Sequence, residues 1–267
     1  MLIAIDCGNT NTVVGLYEGE APKGAFRHVY RSVTDSSLGA TDHRHRLDEE
    51  LAAAGLEDPE LEGAAIACVV PDALGSLTDF AEGATGAAPV VVGALGNVIG
   101  CDVLVDQPGK VGADRLVNAL AAHALYPGPS IVVDFGTATT LDVVSPEGAY
   151  AGGVIAPGVN LALRALYESA ALLPEVEVAR PGRVIGHGTR EAMQSGIYWG
   201  YLSLVEGLIA RIRVEARFGP GGAMKVIATG GLAPLFSGGT DAFDAIEPEL
   251  TLTGLVLNYR INRPASA

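Results

Sequence analysis

The sequence predicts an α/β chain of two domains, each a mixed β-sheet covered by helices. Three observations carry that prediction. The chain opens on a short apolar strand that breaks into a polar turn, Asp6-Cys7-Gly8-Asn9-Thr10-Asn11-Thr12, and resumes as a second apolar strand from Val13. The same strand–turn–strand returns over residues 131–144 around Asp134-Phe135-Gly136-Thr137-Ala138-Thr139-Thr140, with the second Asp close to half of a 267-residue chain beyond the first. After each hairpin, helical and strand periodicities alternate, which calls for a sheet that is partly parallel. The division is drawn at 117/118. Residues 1–117 form a first domain with one turn, and residues 118–267 a second with the other. Facing turns would lie across one cleft, a favoured place for ligands.

The elements follow in order. Residues 25–33 read as a third strand. Residues 41–54 read as a helix capped by Thr41 or Asp42, with Leu47 and Leu51 on one face and Gly55 at its end. His43 and His45 are two apart, a spacing that splays them on a helix and argues against a metal site. The run 64–70 is a buried strand stopped by Pro71, which starts a helix to about residue 84. Residues 89–93 are a short strand. The first half thus reads β-β-β-α-β-α-β. The Ala/Leu-rich stretch 112–125 is a helix with Asp114 and Arg115 in its first turn. A carboxylate there complements the helix dipole; an Arg there does not, which makes it the better functional hint. In the second half, 148–155 is a third strand, 158–171 a helix, and 189–212 a long helix with Thr189 as N-cap. Gly196 and Gly200 on that helix admit a close neighbour, within the chain or from another copy. The run 225–232 is a strand closed by a Gly-Gly turn open enough for a flat ring to approach, and 249–259 is a last helix.

Composition narrows the function. Hydrophobic residues make up 49% and charged ones 18%, so the chain packs as a compact protein, with disorder expected only at the tail 263–267. A net charge of −14 argues against nucleic acid or an anionic membrane as partner. The three cysteines form no CxxC, no leader precedes the first strand, and no apolar run reaches membrane-spanning length, which together fit a reducing cytoplasm.

The chemistry on offer is that of a phosphate site. Each turn combines one carboxylate with many donors: the Asp suits a cation or its water, and backbone N–H groups with the Asn and Thr side chains suit phosphate oxygens. Gly8 permits a backbone that turns N–H groups toward a ligand. The plain alternative is an Asp-capped β-turn. No Walker A loop, no G-x-G-x-x-G after a strand, no Cys/His ligand cluster and no nucleophile elbow are present. Paired Asp-Gly-Thr turns, a Gly-Gly turn and Asp114-Arg115 fit phosphoryl transfer, where positioning and charge neutralisation dominate and one carboxylate takes the acceptor's proton.

Paired hairpins of this kind resemble the actin, hexokinase and acetate kinase superfamily of two ribonuclease-H-like domains. More narrowly, Asp6 to Thr12, Gly112-Ala113-Asp114-Arg115, Asp134 to Thr140 and Thr229-Gly230-Gly231 resemble the type III pantothenate kinases in order and spacing. The resemblance implies ATP-dependent phosphorylation of pantothenate, the first step toward coenzyme A. It implies ATP phosphates held by Asp6, Cys7, Gly8, Asn9, Thr10, Asn11, Thr12 and Val13 with Thr137. It implies pantothenate held by Gly112, Ala113, Asp114 and Arg115, with Asp114 as general base. Asp134 would ligate a monovalent cation, K⁺ or NH₄⁺, and Mg²⁺ would accompany ATP. Thr189 would touch pantothenate from the neighbouring subunit of a homodimer.

Two positions depart from the family. Cys7 stands where an apolar residue such as Ile is usual, and Val105 stands where a Tyr is usual, seven residues before Gly112. Tyr167 or Tyr198 is the expected source of the missing hydroxyl. The rival readings are a kinase for another small hydroxyl or carboxylate substrate, and a catalytically silent nucleotide-binding accessory protein of the same fold.

Overall fold

A computed structural model describes residues 1–56, 59–170, 172–218 and 223–263. Residues 264–267 of the expected tail and Ala171, the expected last residue of a helix, lie outside the described residues. In chain order the elements are β1 (Leu2–Cys7), β2 (Asn11–Glu18), β3 (Ala25–Val33), α1 (Ala40–Ala53), β4 (Gly63–Cys68), α2 (Pro71–Thr85), β5 (Val90–Val91) and α3 (Ala113–Leu125), with one 3₁₀ turn at Pro108–Lys110. There follow β6 (Ser130–Phe135), β7 (Ala138–Val144), β8 (Tyr150–Pro157), α4 (Val159–Glu168), α5 (Thr189–Ala216), β9 (Lys225–Thr229), α6 (Ala233–Ser237), β10 (Ala245–Ile246) and α7 (Leu250–Asn262).

Contacts divide the chain into two compact units. One comprises Met1–Asp102, Asp106–Leu125 and Leu250–Ala267, the other Val103–Val105 and Tyr126–Glu249. The sequence-based cut at 117/118 falls inside α3, and α7 belongs with the first unit. The reason is apolar: α7 lays Leu252, Leu255, Val256 and Tyr259 against Val117 of α3 and Leu2 and Ala4 of β1. The first sheet runs β3-β2-β1-β4-β5 and the second β8-β7-β6-β9-β10. In each, the middle strand is antiparallel to the next strand in sequence and parallel to a later one: β1 with β2 and β4, β6 with β7 and β9. The duplication inferred from the two hairpins thus extends to whole sheets.

The middle strands read as unbroken apolar runs because both faces are covered. Ile3 and Ile5 pack with Leu47 of α1 and with Leu77 and Phe80 of α2, while Leu2 and Ala4 face α3 and α7. In the second unit, Ile131, Val133 and Phe135 pack with Ile197, Tyr198, Tyr201 and Val205 of α5 and with Phe236 of α6. A ladder of amides ties α7 to the loop after β5. Asn97 donates to Asn258 Oδ1 at 3.0 Å, Asn258 Nδ2 donates to the carbonyls of Val98 and Ile99, and Asn262 exchanges bonds with Val98. Asn258 is fully buried, and these bonds offset its desolvation.

The N-caps of α1 and α5 differ from the sequence reading in one consistent way. Gly39, not Thr41 or Asp42, is the N-cap of α1, and the Asp42 carboxylate accepts the Gly39 N–H at 2.8 Å from within the first turn. Gly188, not Thr189, is the N-cap of α5, and Thr189 is its first helical residue. Both N-caps are glycines, so the capping position itself carries no hydroxyl or carboxylate to read.

The α3–α7 packing has a sharp test. A Cβ on Gly254 of α7 would lie 2.0 Å from the Val117 carbonyl oxygen, whereas a Cβ on Gly75 of α2 would meet nothing within 4 Å. Gly254→Ala is expected to lower unfolding free energy by about 1–3 kcal/mol through overpacking. Gly75→Ala is expected to raise it by about 0.5–1 kcal/mol through helix propensity. Urea titrations of the two variants beside the parent protein check both signs.

Candidate active site

In the first unit, the turn between β1 and β2 is closed by Gly8 N–H donating to Asn11 O at 3.0 Å. Gly8 does not adopt a left-handed conformation here; a Cβ would sit 3.3 Å from the Asn11 carbonyl, so what the position needs is room. Asn9 and Thr10 are exposed at the tip, and Asn11 and Val13 are half-buried. Asp6 is half-buried on the sheet face of Leu2 and Ala4, because side chains alternate along the strand. That face also carries α3, so Asp6 and the helix that starts beside Asp114 share one side of the sheet.

Two residues of the turn face inward instead. Cys7 is 1% exposed and packs in the core with Ile3 and Ile5. Thr12 is 5% exposed, and its hydroxyl lies 2.9 Å from Thr34 Oγ1 and 3.6 Å from Cys7 Sγ. Its side chain is engaged inside the protein rather than displayed at the tip. Cys7 is register partner of Cys68 on β4. A hydrogen bond from the Cys68 thiol, with Thr12 adding to it, pushes the Cys7 thiol down against the effect of burial. The Cys68 thiol is pushed up by giving that bond and by burial.

Asp114 stands in the first turn of α3, where its Oδ1 accepts the Arg115 N–H at 2.9 Å. A Cβ on Gly112 would approach Asp114 Oδ1 to 2.5 Å, so only glycine there lets the carboxylate fold back over the helix start. Gly112 O also accepts the Leu116 N–H. Gly112, Ala113, Asp114 and Arg115 are all half-buried, which leaves the group partly open to solvent.

In the second unit the turn is one residue tighter, with Gly136 N–H donating to Ala138 O at 3.0 Å. Gly136 and Thr137 are exposed, and Asp134 is half-buried, flanked in register by Thr140 and Thr229. Gly230 has φ +85°, and a Cβ on it would lie 2.5 Å from Asp134 Oδ1 and 2.7 Å from the Phe135 backbone. The Gly-Gly turn, which the sequence reading takes as an opening for a flat ring, makes room for the Asp134 carboxylate. Gly158, where the sequence reading starts a helix, is the N-cap of α4. It lets the α4 N-terminus press against the turn, since a Cβ there would meet Thr137 O at 2.0 Å.

Thr189 is exposed, and Glu191 in the same turn accepts the His187 N–H at 2.9 Å. Added Cβ atoms at Gly196 and Gly200 would meet nothing within 4 Å, so neither serves tight packing within the chain. Val105 lies in a three-residue segment that joins the second sheet beside β8: Val103 bridges Tyr150, Leu104 N–H donates to Tyr150 O, and Val105 Cγ1 is 3.7 Å from where a Gly152 Cβ would be. Of the two tyrosines expected to replace the missing hydroxyl, Tyr198 is fully buried and donates to Leu235 O at 3.3 Å. Tyr167 is partly buried against the core of the second unit. Among the described residues no cluster of three His, Cys, Asp or Glu side chains is arranged to hold a metal, and no helix is long and apolar enough to cross a membrane.

Comparison with known proteins gives one answer across nearly the whole chain. A family profile described as type III pantothenate kinase matches residues 2–211. Proteins named type III pantothenate kinase from Rhodospirillum rubrum and Paramagnetospirillum magneticum are each 48% identical. The first match covers 99% of this chain and 100% of the relative, the second 98% of each. One from Caulobacter vibrioides is 43% identical over the full length of both. Among solved structures, a protein described as a putative 2-dehydro-3-deoxygalactonokinase from Sinorhizobium meliloti superposes with a TM-score of 0.59. It is 15% identical, over 100% of this chain and 98% of that one. One described as a conserved putative Baf family transcriptional activator from Campylobacter jejuni gives 0.58 at 16% identity, over 97% and 98%. At such identities these two likenesses speak for the fold, while the curated relatives speak for descent. With a matching family profile over most of its length and near-half identity end to end, this chain belongs to the type III pantothenate kinase family.

Proposed function

We propose that this chain transfers the γ-phosphoryl group of Mg²⁺-ATP to the hydroxyl of pantothenate, giving 4′-phosphopantothenate, the first step of coenzyme A biosynthesis. The end-to-end match to named type III pantothenate kinases carries the reading. The two turns and the start of α3 supply parts for it. Asp6 and the exposed donors of Asn9 and Thr10 bind the ATP phosphates, with Thr137 adding from the second turn. Gly112 to Arg115 hold pantothenate. Asp114 takes the proton of the attacking hydroxyl: the Arg115 N–H holds Oδ1, which leaves Oδ2 for the hydroxyl. Thr189, exposed at the start of α5, contacts pantothenate bound by the other copy of a cytoplasmic homodimer.

The family implies a monovalent cation, and the residues around Asp134 fit one. Gly230 and Gly136 leave the Asp134 carboxylate in a cradle that a Cβ on Gly230 would fill. Asp134 would hold K⁺ or NH₄⁺ there, and the ion would supply positive charge near the phosphates without proton chemistry.

Three measurements test these assignments. Pure protein with ATP, Mg²⁺ and K⁺ is expected to phosphorylate pantothenate and neither acetate nor hexoses; the reverse selectivity overturns the substrate. Asp114→Asn keeps shape but accepts no proton, so turnover should fall roughly 10²–10⁴-fold with ATP binding retained. Near-normal turnover would reject the general-base role. Replacing K⁺ by Na⁺ should slow the reaction, and Asp134→Ala should remove the response to K⁺. Equal rates in both salts would leave Asp134 as a turn residue only.

A further inference from the structure

We infer that Thr34, just past the end of β3, is a positioning residue for ATP. It sets the orientation of the β1–β2 turn by holding its carbonyls from behind. The inference rests on the reading that this turn binds the ATP phosphates, and it concerns a residue well outside the turn in sequence. Three bonds from Thr34 reach alternate residues of the turn. Its hydroxyl donates to Gly8 O at 2.7 Å, its backbone N–H donates to Thr10 O at 3.0 Å, and its Oγ1 lies 2.9 Å from Thr12 Oγ1. A hydroxyl has one proton, and the Thr34 proton goes to the Gly8 carbonyl, so toward Thr12 the Thr34 oxygen can only accept; the one Thr12 proton lies between Thr34 Oγ1 at 2.9 Å and Cys7 Sγ at 3.6 Å. The Asn11 carbonyl is taken by the Gly8 N–H, so the carbonyls of residues 8, 10 and 11 all have donors within the protein.

That accounting decides what the turn presents to an anion. In a planar trans peptide the carbonyl and the following N–H point in opposite directions. With Gly8 O fixed toward Thr34, the Asn9 N–H points away from β3, toward the open side of the turn. Losing the Thr34 hydroxyl frees the Gly8–Asn9 peptide to rotate, and a rotated peptide would show a carbonyl oxygen to the phosphate instead of a donor. Thr12, with its buried hydroxyl, completes the support and explains why one of the turn's polar side chains faces inward.

The test is a set of variants at position 34 assayed for both substrates. Thr34→Val keeps size and branching but has no hydroxyl. The KM for ATP should rise roughly three- to tenfold, the worth of about one hydrogen bond, with the KM for pantothenate unchanged. Thr34→Ser should restore the parent value. An unchanged KM for ATP, an equal rise in both KM values, or failure of Ser to restore overturns the proposal. Should Thr34→Val not fold, Thr34→Cys offers a weak donor of similar size. It is expected to raise the KM for ATP by a smaller amount, and a parent-like value overturns the role. Asp6→Asn separates the two readings. If it impairs use of ATP while Thr34→Val does not, the Thr34 role alone fails; if neither does, the phosphate reading of the turn fails with it.

Discussion

The pairing of the two middle strands is the constraint on which the rest of the structure depends. β1 has an antiparallel partner on one side and a parallel partner on the other, and so does β6. The antiparallel partner requires a tight hairpin at the C-terminal end of the middle strand. The parallel partner ends at that same edge, so its following loop emerges there as well. Polar backbone from two connections thus collects at one edge of each sheet, beside a strand whose interior admits only apolar side chains. The one position on the strand that tolerates a carboxylate is near that edge. Asp6 and Asp134 both occupy the next-to-last strand residue, at the start of the turn. Burial of the strand and placement of the acid are two consequences of one pairing scheme.

How much of this could be read from the sequence follows from the range of the interactions. Both hairpins, the β-β-β-α-β-α-β order of the first half and the start of α3 were legible, because alternation, turn chemistry and helical periodicity act within a few residues. The return of α7 to the first unit was not: its partners Leu2, Ala4 and Val117 lie more than a hundred positions away, and nothing local marks them. The N-caps of α1 and α5 are displaced from the sequence reading, Gly39 for Thr41 or Asp42 and Gly188 for Thr189, because glycine caps leave no side-chain signature. Of the candidate site, Asp6, Asp114 and Asp134 stand where the motifs put them, at two turns and a helix start. The inward course of Cys7 and Thr12 was missed, although strand alternation after Asp6 and Val13 contained it. Thr34 carried no signal at all, since only the β2–β3 register brings it to the turn.

If the turns hold the ATP phosphates as proposed, the charge of the chain sharpens what they must do. At −14 the protein as a whole repels a nucleotide triphosphate, and its field gives no help in gathering one. Attraction has to come from short-range donors whose own acceptor ends are occupied. The first turn meets that condition by spending protein donors on its carbonyls. A turn with the same side chains but loose peptides would present donors and acceptors equally and lose the advantage. On the proposed phosphate reading of the turn, the bonds behind it are as much a part of anion binding as the groups in front.

The motif glycines can be read in the same terms. Gly112 is constrained by the Asp114 carboxylate folding back to within 2.5 Å of where its Cβ would be, and Gly230 by the Asp134 carboxylate at the same distance. At Gly230 the left-handed backbone adds a second reason to exclude a side chain. In both places a glycine stands beside an acid and leaves the space its oxygen needs. An alanine at either site would displace the carboxylate first and the backbone second, because the carboxylate is the softer of the two. The short signatures Gly112-Ala113-Asp114-Arg115 and Thr229-Gly230-Gly231 then have different kinds of content. The acids and the Arg are the groups proposed for the chemistry, and the glycines fix where one oxygen atom of each acid is allowed to be.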